Sequence, residues 1–147
     1  MLDVSRIRAI TLDLDDTLWP IGPTIRRAEA TLDVQYYHLE NDETGRWLLR
    51  ALRDAADRGV RVRLLLDDFS TGGQDELFLA FAAHKNVEVR IFNPFCCLRE
   101  HGQAARFMAS VGDWKRVNHR MHNKLFVADG AMAVIGGISL SGGRGTI

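Results

Sequence analysis

His122 and Lys124 stand two residues apart in the stretch RMHNKLFVADGAMAVIGG, Arg120 to Gly137. In an extended chain alternate side chains share a face, so imidazole and ammonium project together while Asn123 turns away. A phosphate suits that pair. Near neutral pH much of an unperturbed imidazole is free base and can attack phosphorus, while a lysine ammonium holds the non-bridging oxygens and screens their charge from the nucleophile. The same residues also fit a solvated strand end, the ordinary fate of charged groups at the head of an apolar run. Asp129 lies at an odd offset from His122, which turns it to the other face and suits a structural role in closing a hairpin. Gly136 and Gly137 admit close backbone approach, whether to a phosphate or to a neighbouring strand.

Other polar groups are weaker candidates. His119 and Arg120 add positive potential beside the motif or sit in a solvated loop, and His38 faces the site or ends a strand; His84 and His101 read as surface residues. Arg61 and Arg63 alternate with apolar residues, as on a solvated strand face. A separate acidic group, Asp13 and Asp15, closes the apolar run ITLDL and concentrates negative charge that a hard cation would relieve. Asp67 and Asp68 in LLLDDFS form a second acidic pair.

The elements that must position these residues alternate along the chain. IRAITLDL reads as a buried strand, and Thr24 as the cap of a helix through about Leu32 after the breakers Pro20, Gly22 and Pro23. DVQYYHLE is a second strand. Asn41 or Asp42 caps a helix whose Trp47, Leu48, Leu52, Ala55 and Ala56 recur at helical spacing until Gly59. VRVRLLL, a helix from Asp75 to about His84, and VEVRIF follow. A long connection, NPFCCLREHG, precedes a helix predicted around Gln103 to Val111; KLFVA and AMAVI then flank an Asp129-Gly130 turn of the hairpin kind. The pattern predicts an α/β fold, a mostly parallel sheet flanked by helices and ending in an antiparallel hairpin.

With 46% apolar and 26% charged residues among 147, the chain has the composition of a globular domain and excludes disordered or collagenous classes. Lys plus Arg and Asp plus Glu number 19 each, so net charge alone draws neither nucleic acid nor an anionic membrane. Cys96 and Cys97 are adjacent, fit neither a disulfide framework nor zinc spacing, and read as reduced, buried thiols. No apolar run approaches the roughly 18 to 20 residues that cross a bilayer, and Asp3, Arg6 and Arg8 interrupt any signal-peptide centre. The expected location is cytoplasmic, with peripheral attachment to a membrane left open.

The ordered series His122-x-Lys124, four residues, Asp129, six residues, Gly136-Gly137 resembles the signature of the phospholipase D superfamily. Upstream, VQYYHLENDETGRWLLRALRDAADRGVRVRLLLDD is similar to the strand, helix and strand that open a catalytic half in bacterial cardiolipin-synthase-like members, so the resemblance spans roughly Asp33 to Gly137. It implies phosphodiesterase or phosphatidyltransferase chemistry on phospholipid or nucleic acid through a phosphohistidine on His122, with Lys124 and Asp129 in the catalytic motif and no cofactor or metal. It also implies two facing motifs. One is present here, so a homodimer or a partner half-domain is expected to complete the site. Gly136, Gly137 and Ser139 would line the substrate pocket; Ser139 stands where the family has an asparagine, and the acid that usually orients the histidine lies further downstream than this chain extends.

Asp13-x-Asp15-x-Thr17 resembles the first motif of the haloacid dehalogenase superfamily, which implies Asp13 as nucleophile, Asp15 as acid and base, and bound Mg. The expected organisation is a haloacid dehalogenase-like segment over 1–32 joined to a truncated phospholipase D-like half-domain over 33–147, a chimera of two incomplete signatures. A catalytically inactive α/β domain and a Mg-dependent phosphatase are the alternatives.

Overall fold

The computed structural model describes residues 9–12, 21–69, 71–95, 108, 112, 121 and 124–135, with 9–12 and 132–135 described by backbone alone. In chain order the elements are β1 (Ala9–Leu12), α1 (Ile21–Arg27), β2 (Thr31–Tyr36), α2 (Glu43–Asp57), β3 (Arg61–Asp67), α3 (Asp75–Ala82), β4 (Val87–Phe92), β5 (Leu125–Ala128) and β6 (Met132–Ile135). They form one six-stranded sheet in the order β1-β6-β5-β2-β3-β4. β2, β3 and β4 are parallel neighbours, β1 lies parallel to β6, and β5 runs antiparallel to both β2 and β6. The expected mostly parallel α/β sheet with a closing antiparallel hairpin is therefore the observed one.

Alternation decides which face is covered. Leu32, Val34 and Tyr36 of β2, Val62, Leu64 and Leu66 of β3, and Phe126 and Ala128 of β5 are buried, and they form one core with Leu48, Leu52, Ala55 and Ala56 of α2 and Ile21 and Ile25 of α1. The intervening residues carry the other face, where Arg63 Nη2 donates to Asp33 Oδ2 at 2.6 Å and Arg90 Nε to Glu88 Oε1 at 2.6 Å. Arg61 and Arg63 are exposed, as their alternation predicts.

α2 follows its sequence signals closely. Asp42 Oδ1 accepts the Gly45 N–H at 2.8 Å as N-cap. Gly59, at φ 100°, supplies the left-handed residue just past the helix end. Trp47 departs from expectation: it is 44% exposed, and the buried arc runs through Leu48 and Leu49 instead.

α1 begins at Ile21, three residues before the expected cap, and ends at Arg27 rather than near Leu32. Pro23 falls in the first turn, where a helix needs no N–H and a fixed φ is favourable. Arg58 draws the end of α1 against α2, its Nη2 donating to the Ile25 carbonyl at 2.8 Å while its Nη1 meets the Asp54 carbonyl at 3.1 Å. His84 is not the surface residue that its polarity suggests. Its side chain is largely covered, Nδ1 accepts the Asn86 N–H at 3.1 Å, and Nε2 is left to donate to Asp57 Oδ1 at 3.1 Å. No helix among the described residues is long and apolar enough to cross a membrane.

Candidate functional site

Because β5 is antiparallel to β2, with Leu125 opposite Gln35 and Ala128 opposite Leu32, the start of β5 lies beside the end of β2. β3 and β4 are parallel to β2, so all three parallel strands finish at this edge. In open α/β sheets ligands bind outside the carboxyl ends of the strands. Lys124 is the residue immediately before β5 and is half-buried there. The candidate phosphate ligand is thus at the chemically useful end of the sheet.

Two buried aspartates organise that edge. Asp67, the last residue of β3, accepts the Phe69 N–H on Oδ1 at 2.8 Å and the Met121 N–H on Oδ2 at 3.0 Å. Asp68 accepts the Thr71 hydroxyl on Oδ1 at 2.8 Å and the Phe95 N–H on Oδ2 at 2.7 Å. Asp67, Asp68 and Thr71 are all fully buried. β2 lies between β3 and β5, so the bond from Asp67 draws the chain across the end of β2 just before the motif.

Around them, Tyr37 stacks on Phe69 with ring centroids 6.1 Å apart, and His38 Nε2 meets Glu40 Oε1 at 2.6 Å. Burial pushes the Tyr36 phenol up to about 12, so it stays protonated through the neutral range.

Asp129 occupies the opposite end of β5. Four strand residues separate it from Lys124, and five steps of extended chain span about 17 Å. It sits at φ 53° and Gly130 at φ 63°, the paired positive angles of a primed hairpin turn, closed by the Ala131 N–H on the Ala128 carbonyl at 3.0 Å. Its Oδ1 accepts from the N–H groups of Ala30 at 2.7 Å and Thr31 at 2.9 Å, and its Oδ2 from Glu29 at 3.1 Å. The carboxylate thereby staples the β5–β6 hairpin to the turn before β2.

Partial burial, the largest single influence on Asp129, raises its pKa, and the Thr31, Ala30 and Glu29 N–H donors together outweigh it and hold the carboxyl below its ordinary value. A depressed folded pKa stabilises above the unfolded value and is lost as pH falls through the folded one. Acid titration of wild type is therefore expected to show an increment of stability lost below about pH 4 that Asp129→Asn lacks. At neutral pH the variant should lose about 1 kcal/mol in urea unfolding, since solvent reaches the site. Superimposable acid limbs for the two proteins would show that the staple contributes nothing.

Lys124 and Asp129 are consequently not brought together. His122, Gly136, Gly137, Ser139, Asp13, Asp15, His101, His119, Arg120, Cys96, Cys97 and all but one residue of the helix expected around Gln103 to Val111 lie outside the described residues. Among the described residues no three His, Cys, Asp or Glu side chains converge as metal ligands. The structural use of Asp67 and Asp68 escaped sequence reasoning. The available signal was the loss of outward charge at Leu65, after Arg61 and Arg63, which makes Leu64 to Leu66 read as covered on both faces just before the two acids.

Compared with known proteins, residues 21–143 match the family described as cardiolipin synthase, PLD-like domain. Cardiolipin synthase C of Escherichia coli is 48% identical over 110 residues, covering 75% of this chain and 22% of that protein. An uncharacterized protein of Helicobacter pylori is 39% identical over 113 residues, covering 77% and 22%. The cardiolipin synthase of Geobacillus kaustophilus is 26% identical over 132 residues, covering 90% and 24%. The chain thus spans about a fifth to a quarter of the length of the curated relatives it matches. A solved structure, that of the archaeal chromatin protein TrmBL2, aligns with 74% of this chain and 31% of that one at 12% identity and a TM-score of 0.44, a likeness too loose to bear on function. The haloacid dehalogenase-like first motif finds no support: the family match begins at residue 21, and α1 packs into the core that it shares with β2 and α2.

Proposed function

This chain belongs to the cardiolipin synthase, PLD-like domain family, and on that premise we propose that it supplies one half of a phosphodiester-processing site with His122 as nucleophile. An imidazole nitrogen of His122 attacks phosphorus and the bond to the leaving alcohol breaks. A second imidazole, His122 of another copy or its counterpart in a partner half, gives that alcohol its proton. Water or an acceptor alcohol then attacks the phosphohistidine, returns a proton to the second imidazole, and frees His122. Lys124 holds the non-bridging oxygens throughout, and Gly136, Gly137 and Ser139 line the pocket. The substrate class is phospholipid, which makes peripheral contact with a membrane part of the same reading.

One observation carries the proposal: Lys124 stands at the mouth of β5, on the edge where β2, β3 and β4 all end. A half-buried lysine there stands where open α/β sheets bind their ligands. Support also comes from the kinship with cardiolipin synthases across this stretch.

The test is turnover of a chromogenic phosphodiester in excess chelator, alongside molecular mass by light scattering. Expected are activity in an oligomer, its loss in His122→Ala, and a covalent phosphate adduct on His122 that acid releases and base spares. Activity that requires added metal, or that survives in His122→Ala, overturns the reading.

A further inference from the structure

We propose that Asp67 is the positioning residue for the nucleophile, holding the backbone immediately before His122, and that Asp68 supports it by fixing Phe95 at the same edge. This rests on the reading of His122 given above. The structural basis is the pair of long-range bonds from adjacent, fully buried carboxylates: Asp67 to the Met121 N–H, 54 residues away, and Asp68 to the Phe95 N–H, 27 residues away.

Burying two neighbouring acids is unfavourable unless every oxygen is satisfied, and an apolar pair would fill the same space more cheaply. Here each of the four oxygens accepts a hydrogen bond. Their value is geometric. Phe95 and Met121 are thereby tied to consecutive residues at the tip of β3. Met121 is itself buried, and β5 begins at Leu125, paired to Gln35. The chain on either side of His122 and Asn123 is therefore fixed, by a carboxylate on one side and by the sheet on the other. Nucleophilic attack needs such fixation, because a displacement of about 1 Å can cost about 10²-fold in rate.

The chemistry of the two acceptors suggests the experiment. Both oxygens of Asp67 receive N–H groups, so Asp67→Asn keeps the shape but offers one acceptor, and its amide NH₂ must oppose the other donor. The bond to Phe69 is local, two residues on, and is the one retained. The bond to Met121 is the one lost.

In the full-length chain, Asp67→Asn is expected to lower kcat by about 10²-fold while KM moves by less than about threefold. Hydrogen exchange at the Met121 amide should accelerate together with it. Val62→Ala, which removes two buried methyl groups on the same strand outside the clasp, serves as the stability control: it should unfold at lower urea but keep kcat and Met121 protection. Asp67→Asn with wild-type kcat, with Met121 exchange unchanged, or with losses matched by Val62→Ala overturns the assignment alone. A wild-type chain that is inactive overturns the functional reading and the assignment with it, and Met121 exchange in Asp67→Asn then reports only whether the clasp exists.

Discussion

Replacing His122 by alanine is expected to lower phosphodiester turnover by about 10² to 10⁴-fold, the range that a positioned acid, base or nucleophile supplies. The residue precedes β5 in the chain, and a substitution whose effect is on chemistry alone should leave urea unfolding unchanged within about 0.5 kcal/mol. The same variant tests whether two histidines act together. When wild type and His122→Ala are co-refolded in equal amounts, a site built from one histidine of each copy needs two wild-type chains, and activity should fall to about a quarter of that of wild type at the same total protein concentration. A fall to half means that each chain works alone. That result would remove the two-copy site while leaving His122 as nucleophile; an undiminished rate in the pure variant would remove both.

The second large effect is on stability. Gly45 lies in the first turn of α2, and a Cβ there would overlap the Glu40 backbone carbonyl oxygen and crowd Asp42 Oδ1 at 3.3 Å. Backbone cannot yield as a side-chain tip does, so the entry to the helix must shift. That shift breaks the bond from the Gly45 N–H to the Asp42 cap. Overpacking at a buried site and loss of a cap together predict about 3 kcal/mol for Gly45→Ala, read as a lower urea midpoint at unchanged m-value. Thr44→Ala, one residue earlier, should move the midpoint little and serves as the control. Equal midpoints for the two variants would mean that the Glu40 to Asp42 turn relaxes freely, and the tight entry to α2 would be without consequence.

The two effects separate what is local from what is not. Periodicity made most strands legible: alternation in VRVRLLL and KLFVA marked β3 and β5, and VEVRIF is β4 to the residue, whereas DVQYYHLE meets β2 only over residues 33–36, because β2 starts at Thr31, where the helix was expected to continue. The Asp42 cap, the Gly59 stop and the Asp129-Gly130 turn were equally visible, because each depends on the conformational preferences of one or two residues. α1 was misjudged where Gly22 and Pro23 look like breakers but occupy a first turn that tolerates them. His84 and Trp47 exchanged their expected environments, since polarity and helical spacing do not reveal which side chains a neighbouring helix leaves uncovered.

The sequence by itself determined the types of the elements, their order, and the His-x-Lys spacing that nominates a phosphate chemistry. Tertiary structure decided that β5 inserts antiparallel beside β2, which carries Lys124 to the carboxyl edge of the sheet and sends Asp129 to the far end. It also decided what Asp67, Asp68 and Asp129 bind. Side-chain preference acts over a turn or a strand, whereas those carboxylates find N–H groups 27 to 100 residues away, and such partners exist only once the sheet has assembled.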